Sequence, residues 1–133
     1  MLGYCVNDGA RQLGGITVAI RKPEISWSDF SKLDLRIGTV ERAEPFPEAQ
    51  KPAIKLWLNF GQDLGVLKTS AQITDLYQPR ALLGRQLVAV VNFPAKQIAN
   101  FMSECLVLGA LKEGEGIVLL NADSQVPAGT LVC

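Results

Sequence analysis

Apolar and polar residues alternate from Ile54 to Phe60. Ile54, Leu56, Leu58 and Phe60 fall on one side, and Lys55, Trp57 and Asn59 on the other. A period of two places a strand with one face in a core. Leu35 to Ala43 reads as another strand, in which Gly38 is expected to mark a bulge or sharp bend, since glycine removes the side chain a curved sheet would crowd. Val66 to Ser70 is a short strand after a turn at Gly61 to Gly65. Gln86 to Asn92 is rich in valine and reads as buried. Glu104 to Leu111 and Gly116 to Leu120 follow, with a hairpin turn at Glu113 to Gly116. Pro127 to Gly129 turns before a last apolar pair, Leu131 and Val132.

The helical signals are brief. Ser26 and Asp29 have the spacing of a cap and an acid at the third helical position, which predicts a helix over Trp27 to Leu33. Trp27 and Phe30 share one face of it and are expected to pack against the rest of the domain. Ala71 to Tyr77 and Arg80 to Leu83 suggest two helical pieces broken at Pro79. The loop Glu44 to Pro52 holds three prolines, and that stiffness lowers the entropy cost of presenting Lys51 to a ligand. Several short strands with glycine-rich turns predict a small closed β-barrel. Ahead of it, Met1 to Lys22 carries Gly9, Gly14 and Gly15 and one candidate strand, Ile16 to Ile20. Pro23 marks the boundary, so residues 1–23 read as an extension and 24–133 as the domain.

The 133 residues fit one domain, and 48% of them are hydrophobic, which leaves apolar surface for an oligomer interface. No apolar run approaches the ~18 residues of a membrane span. Met1 to Gly15 lacks a basic start followed by an apolar block, so a cytoplasmic location is expected. Cys5, Cys105 and Cys133 are far apart and without a Cys-x-x-Cys pair, which argues against a disulfide framework or a zinc site. There is no histidine, which excludes Ser-His and Cys-His nucleophilic sites and imidazole-bound metals. Carboxylate, lysine or tyrosine chemistry stays formally open, but no catalytic residues, metal ligands or cofactor site are singled out, and an enzyme is the least favoured reading. It reads as a binding protein.

Charge is zero overall but unevenly spread. Glu24 to Glu48 holds six acids and three bases. Ala49 to Ser103 holds six bases (Lys51, Lys55, Lys68, Arg80, Arg85, Lys96) against Asp63 and Asp75, a local +4. A neutral total can hide an anion-binding patch.

Several blocks carry a family resemblance when taken in order: Asp34 to Val40, Phe46 to Leu56, Lys68 to Ile73, Gly84-Arg85, Asn92 to Lys96, and Met102 to Glu104. From about Ile25 onward the chain resembles the tRNA-binding domain, an OB-fold module found in some aminoacyl-tRNA synthetases and associated factors. The Pro-containing second block and the Lys68 block resemble its small bacterial secretion-chaperone branch, CsaA. Trp57 is bulkier than the residue expected there, and the extension lies outside the resemblance.

The resemblance implies an all-β, five-stranded OB-fold Greek-key barrel with short helices and extra terminal strands. It implies a cytoplasmic homodimer that binds tRNA on an OB-fold loop surface and holds unfolded precursor polypeptides for export, with no catalysis and no cofactor. The alternative is a peptide-holding chaperone with little nucleic-acid binding. On the tRNA-binding reading Lys51, Lys55, Lys68 and Lys96 are candidates for phosphate contacts. Asn92 and Ser103 are candidates for base edges or sugar hydroxyls, Glu104 for an exocyclic amine, and Met102 for apolar contact. Phe93 is expected to cap the core. Trp57 is open to three roles: stacking on a base, filling a dimer interface, or lying under the extension.

Overall fold

The computed structural model describes residues 10–13 and 16–133, with side chains from Ile20 onward. Cys5 and the glycines at 9, 14 and 15 lie outside the described residues. Strands β1 (Ala10–Leu13) and β2 (Ile16–Ala19) pair with each other in an antiparallel hairpin separate from the main sheet. Helix α1 (Trp27–Ser31) then opens the domain. Its capping box forms as the spacing predicts. The Asp29 N–H donates to Ser26 Oγ, and the Ser26 N–H donates to the Asp29 carboxylate.

The barrel is a five-stranded antiparallel sheet in the order β5-β4-β3-β6-β9. These strands are β3 (Leu35–Pro45), β4 (Ile54–Asn59), β5 (Val66–Ala71), β6 (Gln86–Val90) and β9 (Leu106–Val107). The predicted alternation holds: Ile54, Leu56, Leu58 and Phe60 are buried with Val40, Leu87 and Val107. Each such side chain contributes roughly 1.5–3 kcal/mol by leaving water. Helix α2 (Pro79–Leu82) adds Leu82 to the same core. The barrel nearly closes where β5 meets the chain entering β9. There the Glu104 N–H donates to the Lys68 carbonyl at 2.8 Å, and the Lys68 N–H donates to the Glu104 carboxylate at 3.0 Å.

Between β6 and β9 the chain makes a small hairpin, β7 (Lys96–Ile98) and β8 (Phe101–Ser103). Strands β10 (Gly109–Lys112) and β11 (Gly116–Leu119) form another beyond the barrel, turning at residues 113–115 as expected.

Four local expectations are corrected. The bulge in β3 lies between Val40 and Arg42, not at Gly38. The crowding expected at Gly38 is present: a Cβ there would sit 2.6 Å from the Phe60 ring. Ala71 to Tyr77 is not helical, because Ala71 ends β5 and pairs with Ile54; Pro79 opens α2 rather than breaking a longer helix. Glu104 to Leu111 is not one strand. Leu108 donates to the Val88 carbonyl and accepts from the Leu120 N–H, and there the chain changes partner from β6 to β11. Trp27 does not pack inward: it is 91% exposed, and Phe30 is exposed beside it.

Candidate nucleic-acid interface

The strands that fill the barrel with one face present the other to a groove. On β4, Lys55 and Trp57 point away from the core. Register brings Arg42 of β3 and Lys68 of β5 to either side of Trp57. The 46–53 loop supplies Phe46 at one end, and the β7–β8 hairpin folds over this face and seats Phe101 in it.

Phe101 meets Phe46 edge to face at 5.5 Å between ring centroids, and Trp57 at 5.7 Å. Cations lie over these rings. The Arg42 guanidinium is 4.3 Å from the Trp57 centroid. Lys55 Nζ is 5.1 Å from Phe46 and 5.4 Å from Phe101, and Lys68 Nζ is 5.0 Å from Phe101. Each such contact is worth roughly 0.5–1 kcal/mol where water reaches it. More useful to function is the posture: the charged heads are held against the rings at the surface of the groove. Arg42 also donates to the Glu44 carboxylate, which holds the guanidinium over the indole.

Beside this strip lies a cavity of about 450 Å3, bounded by the 46–53 loop, the end of β5 and the hairpin turn. Lys51, Ala53, Ser70, Gln72, Gln97 and Ile98 are among its lining residues.

The eight residues singled out from the sequence divide accordingly. Lys55 and Lys68 meet over Phe101, and Lys51 lines the adjoining cavity. Lys96 and Met102 are exposed on the hairpin, with Met102 directed away from the face that carries Phe101. Ser103 is fully buried; the Ser70 N–H donates to its Oγ at 3.2 Å. Glu104 accepts the seam hydrogen bond from Lys68.

Asn92 is not brought to the groove with Lys51, Lys55 and Lys68. Its Oδ1 accepts from the Asp34 N–H at 2.9 Å and its Nδ2 donates to the Lys32 carbonyl at 2.7 Å, which ties β6 to the chain leaving α1. Phe93 does not cap the core, being 43% exposed. Trp57 meets the Phe101 ring and the Arg42 guanidinium.

Sequence reasoning missed Arg42, Phe46 and Phe101 as members of this face. Arg42 was within reach, since the outward parity of Lys55 and Trp57 on β4 calls for a partner on the neighbouring strand. The bulge after Val40 shifts that parity, and no local pattern announces it. Phe101 needed the hairpin's fold-back, which is a tertiary fact.

Burial and the nearby Glu104 carboxylate push the Cys105 thiol up to about 12, so it stays a neutral core group. Among the described residues, no cluster of three or more Cys, Asp or Glu side chains could hold a metal ion. No helix among them is long and apolar enough to cross a membrane.

Comparison with known proteins meets this geometry. The profile of the family described as "Putative tRNA binding domain" matches residues 35–131. The crystal structure of chaperone CsaA from Bacillus anthracis is similar at 50% identity and a TM-score of 0.79, over 84% of this chain and 100% of that one. The CsaA chaperone structure from Picrophilus torridus is similar at 46% identity and a TM-score of 0.78, over 83% of this chain and 100% of that one. A methionine–tRNA ligase from Bdellovibrio bacteriovorus is 34% identical over 116 residues, 87% of this chain. The chain spans only 17% of that ligase's length.

Proposed function

The chain belongs to the tRNA-binding domain family, and from that premise we propose that it binds tRNA on the face formed by β4, β5, the 46–53 loop and the β7–β8 hairpin. The observation that carries this is the set of cations held over rings: Arg42, Lys55 and Lys68 against Phe46, Trp57 and Phe101. OB barrels present this same strand face and these loops to oligonucleotides. Lysine heads held at a fixed height contact phosphates. The Arg42 guanidinium, held 4.3 Å from the Trp57 ring centroid, is available to a base. Lys51 and Lys96 extend the basic track along the loop and the hairpin. Ser103, Glu104 and Asn92 then serve the site by holding its frame. The work is binding; no reaction is proposed.

The test is backbone-amide mapping by NMR with unfractionated tRNA. Shifts should gather in residues 42–57, 66–72 and 96–102. Shifts confined to α1 and the C-terminal residues would reject this face.

A second reading concerns assembly. Ile25, Trp27, Phe30 and Leu33 expose an apolar stripe along α1, and Phe93 and Leu131 are exposed on the segments bonded near it. We propose that this stripe is where two copies of the chain meet. The likeness to CsaA chaperones favours a further role in the cytoplasm, holding unfolded export precursors, in which a peptide would compete for the same apolar surface. The extension, residues 1–23, is proposed to be dispensable for RNA binding.

A further inference from the structure

The cavity beside the cation strip is built from different material than the strip itself. At about 450 Å3 it falls in the range of pockets that enclose a small ligand. One wall is the short side chain of Ala49 and another is Ile98 with Ala99, with Ala53 between them. Ala49 and Ile98 also pack on the Phe46–Phe101 cluster, so the walls are anchored. Around these walls stand three primary amides, Gln50, Gln72 and Gln97, together with Ser70, Lys51 and the carboxylate-bearing Glu48. A phosphate site would gather cations, and a site for apolar peptide side chains would be lined by large apolar groups. Alanine walls with amides at the margin suit a flat, polar-edged ring.

A glutamine amide offers a donor and an acceptor side by side. Adenine returns that pair on two edges, its N6 amine beside N7 and beside N1, whereas cytosine does so on one (N4 beside N3) and the N7 edge of guanine shows two acceptors. Gln97 is already oriented, since its Nε2 donates to the Ala99 carbonyl at 3.1 Å. Ala99 holds a φ of 50° as the first central residue of the two-residue turn between β7 and β8, and it lines the cavity from that turn. Lys51 stands beside Gln50 on the same loop and lines the same cavity.

We propose that this cavity is a subsite for one unstacked adenine of the bound RNA. The base enters between the loop wall and the hairpin wall, the glutamine amides read its edge, and Lys51 meets its phosphate. This rests on the tRNA-binding reading above and adds a base preference to it.

The experiment uses five-nucleotide uridine RNAs with a single central adenosine, guanosine, cytidine or uridine, binding being followed by fluorescence anisotropy alongside whole tRNA. The adenosine form should bind at least about fivefold tighter than the cytidine and uridine forms. Gln72→Leu and Gln97→Leu should each shrink that preference to under about twofold while the salt slope for tRNA stays unchanged. Amides of residues 48–53 and 97–99 should shift with the adenosine form. Equal affinity for all four oligonucleotides, with salt-dependent tRNA binding intact, would overturn the subsite and leave the tRNA reading standing. Absence of salt-dependent tRNA binding would instead overturn that parent reading. An unfolded peptide that shifts the same amides, where no oligonucleotide does, would assign the cavity to polypeptide and overturn the adenine proposal.

Discussion

Two faces of this small protein carry aromatic side chains, and they treat them differently. In the groove, Phe46 and Phe101 are buried, Trp57 is half-buried, and arginine and lysine lie over the rings. On α1, Trp27 is 91% exposed, with Ile25 and Phe30 bare beside it. Rings under cations make a surface that is wet, positive and rigid, which is what a polyanion with flat bases requires. Bare rings on a five-residue helix leave apolar area in water, which an apolar partner would relieve. The same residue types therefore point to RNA on one side and to protein on the other.

The largest expected effect sharpens the first half of this contrast. Phe101→Ala removes the ring that Phe46, Trp57, Lys55 and Lys68 all share. It should cost about 3 kcal/mol in urea unfolding, and it should weaken tRNA binding because the hairpin loses its seat. Unchanged stability would show that the hairpin does not depend on this cluster.

Trp27→Ala probes the other half. A side chain this exposed should change the intrinsic stability of one chain by less than ~0.5 kcal/mol. If α1 is the meeting surface, its loss should nonetheless shift sedimentation equilibrium from twice the 14.4 kDa chain mass toward the single mass. A wild-type protein that sediments as a monomer at micromolar concentration would remove the second face from the account.

Thiol reactivity reports the barrel seam between these faces. Cys133 is exposed and Cys105 is buried with its thiol raised to about 12. At pH 8 an alkylating reagent should modify Cys133 at once and reach Cys105 only on unfolding. Prompt native labelling of Cys105 would mean that the seam beside Glu104 opens readily.

The smallest effect lies at the start of α1. Hydrogen bonds from the Ser26 backbone and side chain, then from Lys32, hold the Asp29 carboxyl below its ordinary 3.8. A depressed folded value means the contribution is present above the unfolded value and is lost as pH falls through the folded one. An NMR titration should place the Asp29 midpoint below 3.8, and Ser26→Ala should move it part of the way back. No movement would remove the capping box from the account.

What could be read from the sequence was what local spacing controls. The alternation from Ile54 to Phe60 gave the buried face of β4, and Ser26 with Asp29 gave the cap of α1. The ordered blocks from Asp34 to Glu104 gave the barrel and its family. What escaped depends on distant partners. Nothing near Ser103 says that a hairpin will fold back and bury it against Ser70. Nothing near Asn92 says that its amide will clamp the exit of α1 instead of facing the groove. Trp27 looked like an inward residue because a one-turn apolar spacing does not say whether the cover is the same chain or another.

The central claim is that the cations over the groove rings hold RNA phosphates. The direct measurement is the salt dependence of tRNA affinity for the wild type, Lys55→Ala, Lys68→Ala and, as a control on the α1 face, Lys32→Ala. The account predicts that wild-type affinity falls steeply with salt, that each groove substitution makes the slope shallower by about one unit, and that Lys32→Ala leaves it unchanged. Affinity indifferent to salt, or a slope altered by Lys32 and not by Lys55 or Lys68, would contradict it.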